Sequence, residues 1–172
     1  DDGDRTDHFL KRGNCMDLTV RYAKFDELPR VNELRRAVSE LHAEGRPDIF
    51  RPGFCEELRQ HIYSLFDAPQ YDVIVACLGG KICGFAIVQY VDRLESAYMC
   101  AQRFYHIEEF GVDEIYRRHG IGTALLAFCK AEAKHKGFDR LTLNVWAFNE
   151  DARHFYASAD FRIYRCDLEC KM

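Results

Sequence analysis

The sequence predicts a single mixed α+β domain, and three observations carry that prediction. The chain has 172 residues, 48% hydrophobic and 13% aromatic, enough to bury one substantial core and to exclude wholesale disorder. Stretches of period-two alternation are interspersed with stretches of helical spacing in the order β α α β β β α β α β. No repeat, linker or low-complexity segment interrupts that order, which fits one domain over residues 16–172.

The elements follow from local pattern. Residues 18–23, Leu-Thr-Val-Arg-Tyr-Ala, alternate as a half-buried strand does. Asp26 can cap a helix over residues 26–43, with Pro29 tolerated in its first turn and Leu28, Val31, Leu34, Val38 and Leu41 as its core stripe. The polar, proline-punctuated residues 44–53 end it. A second helix follows with Phe54, Leu58, Ile62 and Leu65. Residues 71–78 and 82–91 are β-rich runs around Gly79-Gly80-Lys81, a tight hairpin. Residues 103–112 predict a further strand, interrupted unusually by Glu108 and Glu109. Residues 120–136 form a helix stopped by Gly137, residues 141–146 a strand, 149–158 a short helix and 161–168 a last strand.

Composition narrows the function classes. Lys plus Arg is 24 against 28 Asp plus Glu, a net charge of -4, the wrong sign for coating nucleic acid or an anionic membrane by charge alone. The longest apolar runs fall far below the roughly 20 residues that span a bilayer. Residues 1–15 are rich in aspartate and lack an apolar core, so they read as a flexible or foreign leader, with Met16 as the alternative natural start, rather than as a secretory signal. The eight cysteines show no CxxC and mostly sit inside apolar patterns. Reduced thiols in a cytoplasmic protein are expected, with a disulfide (Cys166 with Cys170, or Cys77 with Cys83 across the hairpin) or a metal site as the alternatives.

The stretch from Val112 to Thr123 follows a strand and opens a helix. Small residues there let main-chain N–H groups approach an anion, and Arg117 and Arg118 add positive potential. It is neither a GxxxxGK[ST] loop nor a dinucleotide fingerprint, because Gly120-Ile-Gly122-Thr-Ala-Leu125 lacks the third small residue.

The pattern Arg117-x-x-Gly120-x-Gly122 resembles the acetyl-CoA signature of the GNAT superfamily of acyl-CoA-dependent N-acyltransferases. Downstream, Asn149-x-x-Ala152-x-x-Phe155-Tyr156-x-x-x-x-Phe161 resembles the family's second motif. The element order also matches from Leu18 onward. One departure is Asp160, where the family usually has glycine; aspartate tolerates the left-handed conformation better than most residues.

The resemblance implies a mostly antiparallel mixed sheet flanked by helices and splayed between its fourth and fifth strands. It implies acetyl-CoA as cosubstrate, no metal, and transfer of the acetyl group to a primary amine of a small molecule or protein by direct attack in a ternary complex. Arg117, Arg118, His119, Gly120, Ile121, Gly122 and Thr123 then cradle the pyrophosphate, while the backbone of Phe110 to Val112 pairs with the pantetheine arm. Tyr156 matches the general acid that protonates the departing sulfur. Asn149 is a candidate pantetheine contact as well as an excellent N-cap.

Glu108 and Glu109 are the candidate bases. Strict alternation lets only one of them face the cleft and does not choose between them, and His106 is a further relay candidate. The acceptor side falls on residues 44–54 and 93–102, with Asp48, Phe50, Phe54, Tyr98 and Tyr105 suited to an amine and Arg46, Arg51 and Arg103 to a carboxylate. A CoA-binding regulatory or sensor module without turnover is the alternative. No nucleic-acid or membrane partner is expected, and a homodimer is compatible with the family.

Overall fold

The computed structural model describes residues 17–172; the expected leader and Met16 lie outside the described residues. Its strands are β1 (Leu18–Tyr22), β2 (Tyr71–Leu78), β3 (Lys81–Arg93), β4 (Gln102–Val112) and β5 (Leu141–Leu143). The helices are α1 (Leu28–Gly45), α2 (Glu56–Asp67), α3 (Ile121–His135) and α4 (Glu150–Ser158). The sheet runs β1-β2-β3-β4-β5, antiparallel except for the parallel β4 and β5. That is the open, mixed sheet expected of an α+β domain.

Alternation in the strands builds two cores, one on each face. Val73, Val75, Cys77, Phe85 and Ile87 pack with Leu28, Val31 and Leu34 of α1 and Ile62 and Leu65 of α2. Ile74, Ala76, Ala86, Val88, Tyr105 and Ile107 pack with Ile121, Leu125, Leu126 and Cys129 of α3. Cys77 and Cys83 therefore face opposite layers, and all seven described cysteines are free thiols. The hairpin is as tight as the sequence predicts: Leu78 pairs with Lys81, and Gly79 and Gly80 both take positive φ, as this two-residue turn demands.

Four expectations need correction. A 3-10 turn over Phe25–Glu27 precedes α1, and the Glu27 carboxylate grips both the Lys24 N–H at 2.8 Å and the Arg21 guanidinium at 2.6 Å. On α1, Leu41 is exposed; its place on the inner stripe goes to His42, seven residues beyond Arg35 on the same face. The strand expected over residues 141–146 ends at Leu143. The strand expected over 161–168 does not form, because none of these residues enters the sheet ladder.

The pairing of β4 shapes the site. Ile87 lies opposite Glu109 and Val88 opposite Ile107, so Glu108 is an extra residue, a β-bulge. At the same point the partnership with β5 stops, since Ile107 and Leu143 are the last pair. A bulge bends and twists its strand. Beyond Ile107 the β4 edge that faces β5 runs unpaired to Val112, and the sheet is splayed there.

Candidate active site

The bulge overturns the expectation that only one glutamate faces the cleft. Ile107 and Phe110 both belong to the α3 layer, so the two residues between them share the opposite face, towards α1 and α2. Glu109 receives two hydrogen bonds from Arg35 of α1, at 2.8 and 2.7 Å. Glu108 lies beside Tyr71 and His61, at the start of β2 and on α2. Desolvation, and next the adjacent Glu109 carboxylate, raise the Glu108 carboxyl above the ordinary carboxylate range.

Arg35 is the residue that sequence pattern missed. Its side chain is 2% exposed, and it also donates to Asn32 Oδ1 at 2.9 Å and the Leu58 carbonyl at 2.8 Å, with Phe54 against its guanidinium. Asn32 in turn donates to the Arg59 carbonyl. A buried cation thus joins α1, α2 and β4. The available signal was a charged residue on the inner stripe of α1, four positions after Val31 and three before Val38. His42, two turns beyond Arg35, stacks on Phe50 at 5.1 Å, and burial lowers its pKa.

Across the opening stands Tyr156, on α4. Its ring lies against Phe110 at 6.1 Å and Phe161 at 5.7 Å, and burial pushes its hydroxyl up to about 12. Asn149 caps α4, its side chain accepting from the Ala152 N–H at 3.2 Å. Asp160, at φ +67°, takes the left-handed exit in place of glycine. The tyrosine and the glutamates thus sit on opposite faces of the sheet, linked by the gap between β4 and β5.

The loop from Arg117 to Gly120 has the geometry of an anion cradle. Arg118 (φ +67°) and Gly120 (φ +77°) are both left-handed, a turn geometry that gathers successive N–H groups on one side. The Arg117 N–H is taken by Glu114 and the Ala124 N–H by Gly120. The N–H groups between them, of Arg118, His119, Gly120, Ile121, Gly122 and Thr123, have no main-chain acceptor. Gly122 leaves room for Phe155, whose ring would lie 3.2 Å from an added Cβ. Arg117, Arg118 and His119 are exposed beside these donors. Six donors with three basic side chains fit a pyrophosphate, and the adjoining unpaired edge of β4 fits an amide-bearing arm.

The expected acceptor residues divide. Phe50 stands in a cluster with His42, Trp146 and Phe148, and Arg46 covers Trp146 at 5.6 Å. Arg46 holds Asp48 through two hydrogen bonds of 2.8 Å. Tyr105, by contrast, is a core residue on the α3 face, donating to Asp72 at 2.5 Å. Tyr98 is 88% exposed, and Arg103 pairs with Asp92 and lies on Phe138, so none of these three joins the cleft. His106 bridges to Thr142 of β5 at 2.8 Å. Among the described residues no group of three His, Cys, Asp or Glu side chains could hold a metal, and no helix is long and apolar enough to cross a membrane.

Removing one member of a buried ion pair strands the other. Arg35→Ala is expected to cost about 3–5 kcal/mol of unfolding free energy, whereas Arg35→Lys, which keeps the charge and loses the two-pronged grip, costs less. Urea denaturation of the two variants measures the difference.

A family model described as "Acetyltransferase (GNAT) family" matches residues 35–161. Among solved structures, a tetramutant of the BH1408 protein from Bacillus halodurans shares 25% identity, covering 90% of this chain and 99% of that one with a TM-score of 0.85. An aminoglycoside acetyltransferase from an uncultured soil metagenomic sample, in complex with sisomicin, shares 21% identity over 90% of this chain and 95% of its own (TM-score 0.63). The aminoglycoside N-acetyltransferase AAC(6')-Iy in complex with CoA shares 16% over 95% and 99% (TM-score 0.70). No curated protein sequence matches the chain. With the family model matching most of its length and the splayed sheet and cradle in place, the chain belongs to the GNAT acetyltransferase family.

Proposed function

We propose that the protein is an acetyl-CoA-dependent N-acetyltransferase that passes the acetyl group to a primary amine by direct attack in a ternary complex. The observation that carries this reading is the run of six unclaimed N–H donors leading into the unpaired β4 edge, with carboxylates on one side of the gap and a protonated phenol on the other. The CoA-bound relative supports acetyl-CoA as the donor, and the aminoglycoside acetyltransferases support a small-molecule amine as acceptor.

Residues 118–123 bind the pyrophosphate, and Phe110 and Val112 present main-chain groups to the pantetheine arm. Asn149 keeps α4, and with it Tyr156, in place. A thioester supplies an already activated acyl group, so no enzyme nucleophile is required. Glu108 is the better base of the two glutamates. Glu109 is committed to Arg35 through both oxygens, whereas the raised affinity of Glu108 for a proton suits removal of one from an ammonium group, directly or through water. Tyr156 keeps its proton at neutral pH and offers it to the sulfur as the thiolate leaves. Glu109 is a positioning residue.

Titration with acetyl-CoA tests the reading first. Binding at a hundredfold excess over Kd stabilises the native state by about 2.7 kcal/mol, and thiol release with a panel of amines then distinguishes an enzyme from a silent CoA-binding module. Absence of a thermal shift overturns the cradle assignment. Tyr156→Phe is expected to lower kcat by roughly 10²–10⁴-fold with acetyl-CoA affinity nearly unchanged, and an unaltered rate removes it from the mechanism. The pH profile addresses the base. Since Glu108 works deprotonated, kcat/KM falls as pH drops through its pKa, above the ordinary value of about 4.3. Glu109→Gln removes a neighbouring anion and moves that limb to lower pH; a limb that stays put rules out Glu108.

A further inference from the structure

Four aromatic rings at the acceptor side belong to neither core. His42 near the end of α1, Phe50 in the loop after it, and Trp146 and Phe148 between β5 and α4 contact one another at 5.1 to 6.4 Å. All four are half-buried, so each keeps part of its ring open. Gly45 ends α1 and lets the Phe148 ring lie on the helix, where an added Cβ would run into it. The cluster adjoins the carboxylates. His42 shares the inner stripe of α1 with Arg35, which holds Glu109, and its ring senses the Glu109 charge.

The carboxylates beside these rings are paired, with one exception. Arg35 holds Glu109 through both oxygens. Arg46 holds Asp48 at 2.8 Å and Glu169 at 2.9 Å, and Lys171 approaches Asp48 at 3.7 Å. Glu40 and Glu44 stand two residues to either side of His42, which at about 3.6 residues per turn carries them to the outer side of α1. Among the described residues, Glu108 is the carboxylate of this face with no lysine or arginine in ion-pair contact. Arg46 also lies over Trp146 at 5.6 Å, the place where an indole draws a cation, so the protein's own guanidinium already fills it. The face accommodates one ammonium group; a second would meet Arg35 or Arg46.

We infer that the acceptor is a monoamine whose single ammonium group is carried on a flat aromatic body, with the ammonium at Glu108 and the ring among Phe50, Trp146 and Phe148. This names the substrate class of the transferase reading above and rests on it. Aromatic rings attract one another beyond what their buried area accounts for, and a half-buried ring cluster offers that contact. A polycation such as an aminoglycoside needs several free carboxylates, and this face holds one. The transfer itself is unchanged. One ammonium proton goes to Glu108, the nitrogen bonds to the acetyl carbon as the C–S bond breaks, and the next N–H proton lost balances the one that Tyr156 gives to sulfur.

The test measures thiol release by the full chain at saturating acetyl-CoA with three acceptors: 2-phenylethylamine; butylamine, which has the ammonium without the ring; and sisomicin, which has several ammonium groups. The kcat/KM for 2-phenylethylamine is expected to exceed that for either of the others roughly tenfold. Phe50→Ala narrows the advantage over butylamine through KM, with acetyl-CoA affinity unchanged. Gly45→Ala does the same by displacing the Phe148 ring; it folds, because Gly45 does not take positive φ and alanine favours a helix. Arg46→Gln uncovers Asp48 and narrows the advantage over sisomicin. Equal or higher kcat/KM for butylamine or sisomicin overturns the inference and leaves a working transferase, as does an advantage indifferent to all three substitutions. Thiol release with other amines but not with 2-phenylethylamine has the same meaning. Acetyl-CoA binding without thiol release for any amine overturns the transferase reading, and this inference with it.

Discussion

A strand can bond to a neighbour on each side only while its residues keep in step with both, and β4 loses step with β3 and β5 at the same place. Glu108 is inserted opposite β3, and Ile107 is the last residue paired to β5. One extra residue thereby bends the strand, frees the main-chain edge that follows, and turns two successive carboxylates to one face. The loop that follows β4 and Tyr156 across the gap lie at the splayed end of the sheet that this bend opens.

Electrostatics reinforces it. Two adjacent glutamates on one face repel, and partial burial makes that repulsion more costly. Arg35 compensates one of them through a two-pronged contact and uses its remaining donors on Asn32 and Leu58. The result is asymmetric: Glu109 is fixed and Glu108 is left with a raised pKa. One buried cation gives two identical side chains different environments, the condition under which like residues can take different roles.

Much of this was legible in the sequence, and the exceptions share a cause. The hairpin at Gly79-Gly80, the helix after the glycine-rich loop and the cap at Asn149 depend on neighbours within a few residues, and local pattern found them. The bulge depends on register between β3 and β4, so strict alternation misjudged Glu108 and Glu109. The apolar stripe of α1 masks Arg35 and His42; only the approach of β4 sets them near the Glu109 carboxylate. Residues 161–168 have every local mark of a strand, but a strand is a relation between two segments, and propensity cannot supply the second. Tyr105 was placed in the cleft because an aromatic in a strand points to either face with equal ease from sequence.

The two halves of the sheet are also unequally held. β1 to β4 are joined by antiparallel ladders of five, eight and ten residue pairs, while β5 joins through three, Tyr105 to Leu141 through Ile107 to Leu143. Local opening free energies follow such differences in hydrogen bonding and packing. Of the five strands β5 is held to the sheet by the fewest residue pairs, and its amide protons are expected to exchange ahead of those of β2, β3 and β4. The side of the gap that bears the phenol is thus anchored by the shortest ladder in the sheet, and the side that bears the carboxylates by the longest.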